Sequence, residues 1–141
     1  RRHTRLRRDW SSDVCSSDLI VNIDLETRTI KEDKVSLNII RLGTSGALQE
    51  DVPVDSMVMS SYGLGFDGLL NFYEGKDVME EDMSQAFIEH TQWGQNLSRP
   101  YIVKASEELS ARIGEGMISG ITVTAPGYYG PQGRIRRQPL A

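Results

Sequence analysis

The chain has 141 residues, a formal net charge of −4 at pH 7, and 38% hydrophobic and 26% charged residues. That is enough for one domain with a useful core, in the composition of a soluble globular protein, and too little for two. No apolar run approaches the roughly 18 residues that span a bilayer, and the single cysteine, Cys15, excludes an internal disulfide and fits a reducing, cytoplasmic compartment.

Residues 1–19 read as something other than the domain. Arg1, Arg2, Arg5, Arg7 and Arg8 crowd the start, and Ser11 to Leu19 repeats a Ser-Ser-Asp unit. There is no apolar stretch of the kind a secretory signal needs, and Asp9, Asp13 and Asp18 count against a transit peptide. A basic arm for nucleic acid is an alternative. The polar repeat looks most like linker or adaptor sequence, expected to add nothing to the core. With five arginines against three aspartates it carries +2, which leaves −6 on residues 20–141. An acidic body disfavours bulk nucleic-acid binding.

From Ile20 the pattern is that of a folded domain. Ile20 to Arg28 fits either a strand or the end of a helix, and Lys31 to Lys34 is a charged connection. Leu37, Ile39, Ile40 and Leu42 form an apolar, β-branched run that predicts a buried strand. It breaks into Gly43-Thr44-Ser45-Gly46. Two glycines let backbone amides close on an anion, Thr44 and Ser45 add hydroxyls, and Arg41 brings a permanent planar fork suited to phosphate. The alternative is a strand-end arginine paired with a surface carboxylate, beside an ordinary turn.

Pro53 blocks a helix, and Ser56 to Ser60 predicts a second strand, which Gly63, Gly65 and Gly68 then interrupt. These glycines match Gly-x-Gly-x-x-Gly only superficially, because Leu69 to Gly75 is too short for the helix a dinucleotide site requires. Glu81 to Leu97 predicts the main helix, with Met83, Ala86, Phe87, His90, Trp93 and Leu97 as its core stripe. His90 has no second histidine or cysteine at ligand spacing, so it reads as a packed or capping residue and no metal site is expected.

Tyr101 to Val103 predicts a short strand. Ser106 then caps a helix with Glu107 and Glu108 in its first turn, and Gly114 stops it. Gly120 to Thr124 alternates β-branched residues and predicts another strand, leading into Ala125 to Arg134. Alternating strands and helices indicate an α/β protein whose ligands bind beyond the carboxyl ends of the strands. Tyr128 and Tyr129 offer stacking faces, Gln132 a two-way amide and Arg134 a donor fork, together a plausible reader for a flat ring with carbonyl and N–H edges. A surface loop shaped by glycine and proline is the alternative.

Arg-Leu-Gly-Thr-Ser-Gly-Ala-Leu-Gln at Arg41 to Gln49 resembles a segment that marks the nucleoside phosphorylase family. Gly-Tyr-Tyr-Gly-Pro-Gln-Gly-Arg at Gly127 to Arg134 resembles the more specific pyrimidine-reading loop of uridine phosphorylases, and Asp55 to Tyr73 is similar to the part between. The resemblance covers about residues 20–141. It implies a three-layer α/β/α fold with a mixed central sheet and phosphorolysis of uridine to uracil and ribose 1-phosphate in nucleoside salvage. In those terms Arg41 and Thr44 contact phosphate, with Thr44 also near the ribose, while Ser45 and Gly46 line the base site. Gln132 and Arg134 hold the uracil edge and Tyr128 stacks or packs against it, which makes Arg41, Thr44 and Arg134 the catalytic set.

The resemblance further implies no cofactor beyond phosphate as co-substrate, and a homo-oligomer, dimer or hexamer, with shared active sites. It places a glycine-rich phosphate loop and a histidine before Ile20 and a Met-Glu ribose segment after Ala141. The chain is therefore expected to be the middle of a longer enzyme, truncated at both ends. The strands carrying Ile39 and Val123 are expected to be neighbours or near-neighbours, bringing Arg41, Thr44, Gln132 and Arg134 to one crevice. The alternatives are a purine nucleoside phosphorylase, which Gln132 and Arg134 disfavour, a nucleosidase, which Arg41 disfavours, and a non-enzymatic nucleoside- or anion-binding module or inert fragment.

Overall fold

A computed structural model describes residues 20–73, 76–127 and 130–132. The predicted leader, residues 1–19, lies outside them. The chain forms two compact units, Arg1–Gly46 and Ala47–Ala141.

The described part of the first unit is built on a hairpin. Residues 20–22 are helical, and the chain then turns through β1 (Ile23–Asp24) and β2 (Thr29–Ile30), which pair antiparallel. Both expectations for this stretch are thus met in part: a helix end, then a strand. The Asp24 carboxylate accepts the amides of Glu26 at 2.9 Å and Thr27 at 3.1 Å, an Asx-type turn. Those amides hold its pKa below the ordinary carboxylate value. Asn22 clips the following chain, accepting from Val35 N–H at 2.7 Å and donating to Val35 C=O at 3.1 Å.

The predicted strand at Leu37 to Leu42 does not form. Residues 34–47 carry no strand, and Ile40 and Leu42 are 50% and 85% exposed. An apolar run becomes a strand only when another strand takes up its backbone groups and a face covers its side chains. Among the described residues neither partner is present.

The second unit is a three-stranded mixed sheet in the order β4-β3-β5, with β3 (Val58–Gly65) central. β4 (Tyr101–Lys104) runs antiparallel to it and β5 (Ile118–Thr124) parallel. Val123 therefore pairs with Leu64 of β3, and Ile39 has no place in this ladder. The connection from β3 to β5 carries α1 (Glu81–Thr91), β4 and α2 (Glu107–Ile113), as the alternation of elements requires.

Gly63 and Gly65 lie inside the central strand, where the sequence predicts interruptions. A β-carbon on Gly65 would stand 2.2 Å from the Tyr101 ring, which crosses over it from the neighbouring strand. The close approach of that ring, rather than a turn, accounts for this glycine.

α1 begins where predicted but ends six residues early. Gln92 adopts the left-handed conformation, φ 50°, and the amide of Trp93 returns to Ile88 C=O at 3.1 Å. Trp93 fits the helical spacing yet reaches the core from the turn beyond. The covered face holds Met83, Ser84, Phe87 and Ile88, whereas Ala86 and His90 are exposed. His90 is thus not packed; it sits in the last turn of the helix. α2 follows its prediction: Ser106 Oγ accepts from Leu109 N–H at 3.3 Å, and Gly114 closes the end.

The core centres on Leu64 and Ile102, which face each other across β3 and β4 at 5% and 3% exposure. Buried Ser84 joins α1 to them. Its hydroxyl donates to Glu80 C=O at 2.8 Å and accepts the Ile102 amide at 3.0 Å. Replacing Ser84 by alanine leaves that buried N–H without a partner, a loss of about 1–3 kcal/mol. Thermal unfolding followed by circular dichroism should show the midpoint of Ser84→Ala several degrees lower. An unchanged midpoint would mean that water reaches the Ile102 amide.

Candidate functional site

Arg41, Thr44, Ser45 and Gly46 all lie on the exposed, unpaired stretch of the first unit. The Arg41 guanidinium folds back over Gly43, where a β-carbon would be 3.5 Å from its nearest nitrogen. Among the described residues it makes no ion pair or hydrogen bond, so the pairing with a surface carboxylate is not observed. The Thr44 and Ser45 hydroxyls are likewise without protein partners among the described residues.

The base-reading candidates follow β5. The chain leaves Thr124 through Ala125 and Gly127 and makes a 3-10 turn at Gly130–Gln132. A β-carbon on Gly127 would lie 3.5 Å from Pro131, so the segment folds back on its own beginning. Tyr128, Arg134 and the Gln132 side chain lie outside the described residues. The structure thus groups Arg41 with the Gly-Thr-Ser-Gly stretch in one unit and places the Gln132 backbone in the other.

The strand ends hold a constellation that sequence reasoning missed. β3 and β5 are parallel and finish level, Gly65 opposite Thr124. Just beyond, Asp67 Oδ1 accepts the Tyr101 hydroxyl at 2.7 Å and the Leu69 amide at 2.9 Å. Its other oxygen, Oδ2, accepts the Thr124 hydroxyl at 3.4 Å. One carboxylate therefore touches the ends of three strands. Next to it, Phe66 stacks with Trp93 and Phe87 at ring separations of 4.8 and 5.7 Å. The sequence signal was faint: an aspartate between aromatic and glycine reads as a turn, and its partners are far away in the chain.

Burial first, then the hydrogen bond to Asp67 and its negative charge, push the Tyr101 phenol well above its ordinary value. Among the described residues no group of three or more His, Cys, Asp or Glu could hold a metal ion. No described helix is long and apolar enough to cross a membrane.

The family model described as the phosphorylase superfamily matches residues 20–138. The chain belongs to the phosphorylase superfamily. The match spans both Arg41 to Gln49 and Gly127 to Arg134, so both candidate segments lie within one family match. Membership in this superfamily brings the chain into the nucleoside phosphorylase family, with a glycosyltransferase-type chemistry. No curated protein and no solved structure matches the chain.

The Tyr101–Asp67 contact has a signature in alkali. A folded-state pKa raised above the unfolded one contributes stability that is complete below pH about 10 and lost as pH rises through the folded value. In a phenolate absorbance titration, one tyrosine should ionise well after the ordinary range. That late fraction should vanish in Tyr101→Phe; its persistence there would assign it to another tyrosine.

Proposed function

We propose that the protein catalyses the phosphorolysis of uridine, giving uracil and ribose 1-phosphate. The observation that carries this is the segment Gly127 to Arg134. It follows the carboxyl end of a strand parallel to its neighbour, inside the family match, and has an aromatic, an amide and a guanidinium in the pattern that reads a pyrimidine edge. By the same resemblance, purine enzymes and nucleosidases read the base differently.

The chemistry asks little of side-chain nucleophiles. Phosphate attacks the anomeric carbon through one of its own oxygens. The glycosidic C–N bond breaks, its electron pair leaves with uracil, and the departing anion takes up a proton. Catalysis is then positioning plus electrostatics. Arg41 and Thr44 hold the phosphate, with Thr44 also near the ribose, and Ser45 and Gly46 line the base site. Gln132 pairs with the uracil edge, and Tyr128 packs against the ring. Arg134 faces a ring carbonyl, where the leaving charge accumulates, and stabilises it as an oxyanion hole does. Phosphate is a co-substrate and no cofactor enters. The fold that goes with this role is a three-layer α/β/α domain, in a cytoplasmic homo-oligomer.

The two arginines should fail differently. A charge-assisted hydrogen bond contributes about 1.5–3 kcal/mol, one to two powers of ten in rate. In steady-state kinetics with uridine and phosphate varied separately, Arg134→Ala should lose that much kcat/KM on uridine, with KM for phosphate nearly unchanged. Gln132→Ala should behave alike. Arg41→Ala should raise KM for phosphate and lower turnover on every nucleoside accepted. A reversal of the pattern would exchange the roles of the two segments, and preference for inosine over uridine in the parent would move the enzyme to the purine class.

A further inference from the structure

Reading a base to within a few tenths of an ångström requires that the reading segment start from a fixed point. That point is Thr124, the last residue of β5, ten positions before Arg134. Two groups from the end of β3 hold it. Phe66 N–H donates to Thr124 C=O at 3.0 Å, and the Thr124 hydroxyl donates to Asp67 Oδ2 at 3.4 Å.

Asp67 is itself held on its other side. The Tyr101 hydroxyl at 2.7 Å and the Leu69 amide at 2.9 Å both donate to Oδ1. Tyr101 is the first residue of β4, and its ring lies over Gly65, so the phenol approaches Asp67 along a path that no side chain at position 65 obstructs. Leu69 opens the 3-10 turn Leu69–Phe72. Gly68, between them, has φ 69°, and a β-carbon there would stand 2.8 Å from Ser98. The carboxylate is thus fixed by a strand, a turn and a crowded glycine, and it passes that fixity to Thr124.

The described parts of the segment stay close to its start. Gly127 packs against Pro131, and Gly130–Gln132 is a turn rather than extended chain.

We propose that Asp67 is a positioning residue for nucleobase recognition: by joining the ends of β3, β4 and β5, it sets where the base-reading segment begins. This rests on the assignment of that segment to the base. Asp67 touches no reacting atom in this role. Its loss should therefore alter the nucleoside side of the reaction and leave the phosphate side alone.

The test compares Asp67→Ala, Asp67→Asn and Arg134→Ala with the parent in the same two-substrate kinetics. Asp67→Ala should raise KM for uridine about tenfold with KM for phosphate unchanged. Asp67→Asn keeps an acceptor for Tyr101 and Leu69, and its amide can donate to the Thr124 hydroxyl, so KM for uridine should return to within about twofold of the parent. Should Asp67→Ala fail to fold, Tyr101→Phe removes one donor and should raise KM for uridine alone, by about threefold. The proposal falls if both KM values rise together, if neither changes, or if asparagine does not restore what alanine loses. Where Arg134→Ala impairs uridine and Asp67→Ala does not, only the role of Asp67 is wrong. Where Arg134→Ala spares uridine, the assignment of the segment is wrong, and the role of Asp67 falls with it.

Discussion

Ile102 has one N–H and one C=O to place, and both are taken by the start of α1. Alternate residues of an antiparallel strand turn these groups away from the partner strand. In β4 the Ile102 amide goes to Ser84 Oγ at 3.0 Å, and its carbonyl accepts Glu80 N–H at 2.8 Å. The edge of the sheet is thereby closed by a helix end, together with a single antiparallel bridge from Met79 to Val103. The strand ends are tied to that contact. It fixes β4 along β3, which sets Tyr101 over Gly65 and brings its hydroxyl to Asp67. It also fixes α1, which brings Phe87 against Phe66 and Trp93.

What the sequence made legible was whatever local chemistry decides. Ser106 with two acids after it and Gly114 beyond it contains a whole helix within nine residues. The β-branched alternation of β5 and the short run of β4 are similarly self-contained. The misread elements depend on partners distant in the chain. Gly63 and Gly65 look like breaks because glycine is a poor strand former, but Tyr101 needs the room at position 65. Trp93 continues the helical stripe of α1 by spacing, yet Gln92 has already ended the helix. The run Leu37 to Leu42 has every local mark of a strand and lacks only a neighbour among the described residues.

The candidate site divides along the same line. Arg41, Thr44, Gln132 and Arg134 stand out because their residue types in that order resemble a family pattern, and all four lie within residues 20–138, which match the superfamily. Asp67 could not be found so. Tyr101 and Thr124 lie 34 and 57 positions from it, and none of the three is unusual by itself. The charge distribution sharpens the demand on the arginines. Residues 20–141 carry −6, so the bulk of the protein repels a phosphate dianion. At physiological ionic strength that repulsion fades beyond about 8 Å. Anion capture in the proposed reaction is then a matter of a few groups in contact range, with no help from long-range steering.

The passage of Tyr101 over Gly65 makes these two positions a single choice. A side chain at position 65 cannot coexist with the ring, and losing the ring removes the phenol that Asp67 holds. Neither residue can therefore drift alone without disturbing the junction of three strands. Among relatives of this chain the pair is expected to covary, glycine accompanied by an aromatic and larger residues by something small. Position 67 would then be released from its aspartate wherever the aromatic is lost.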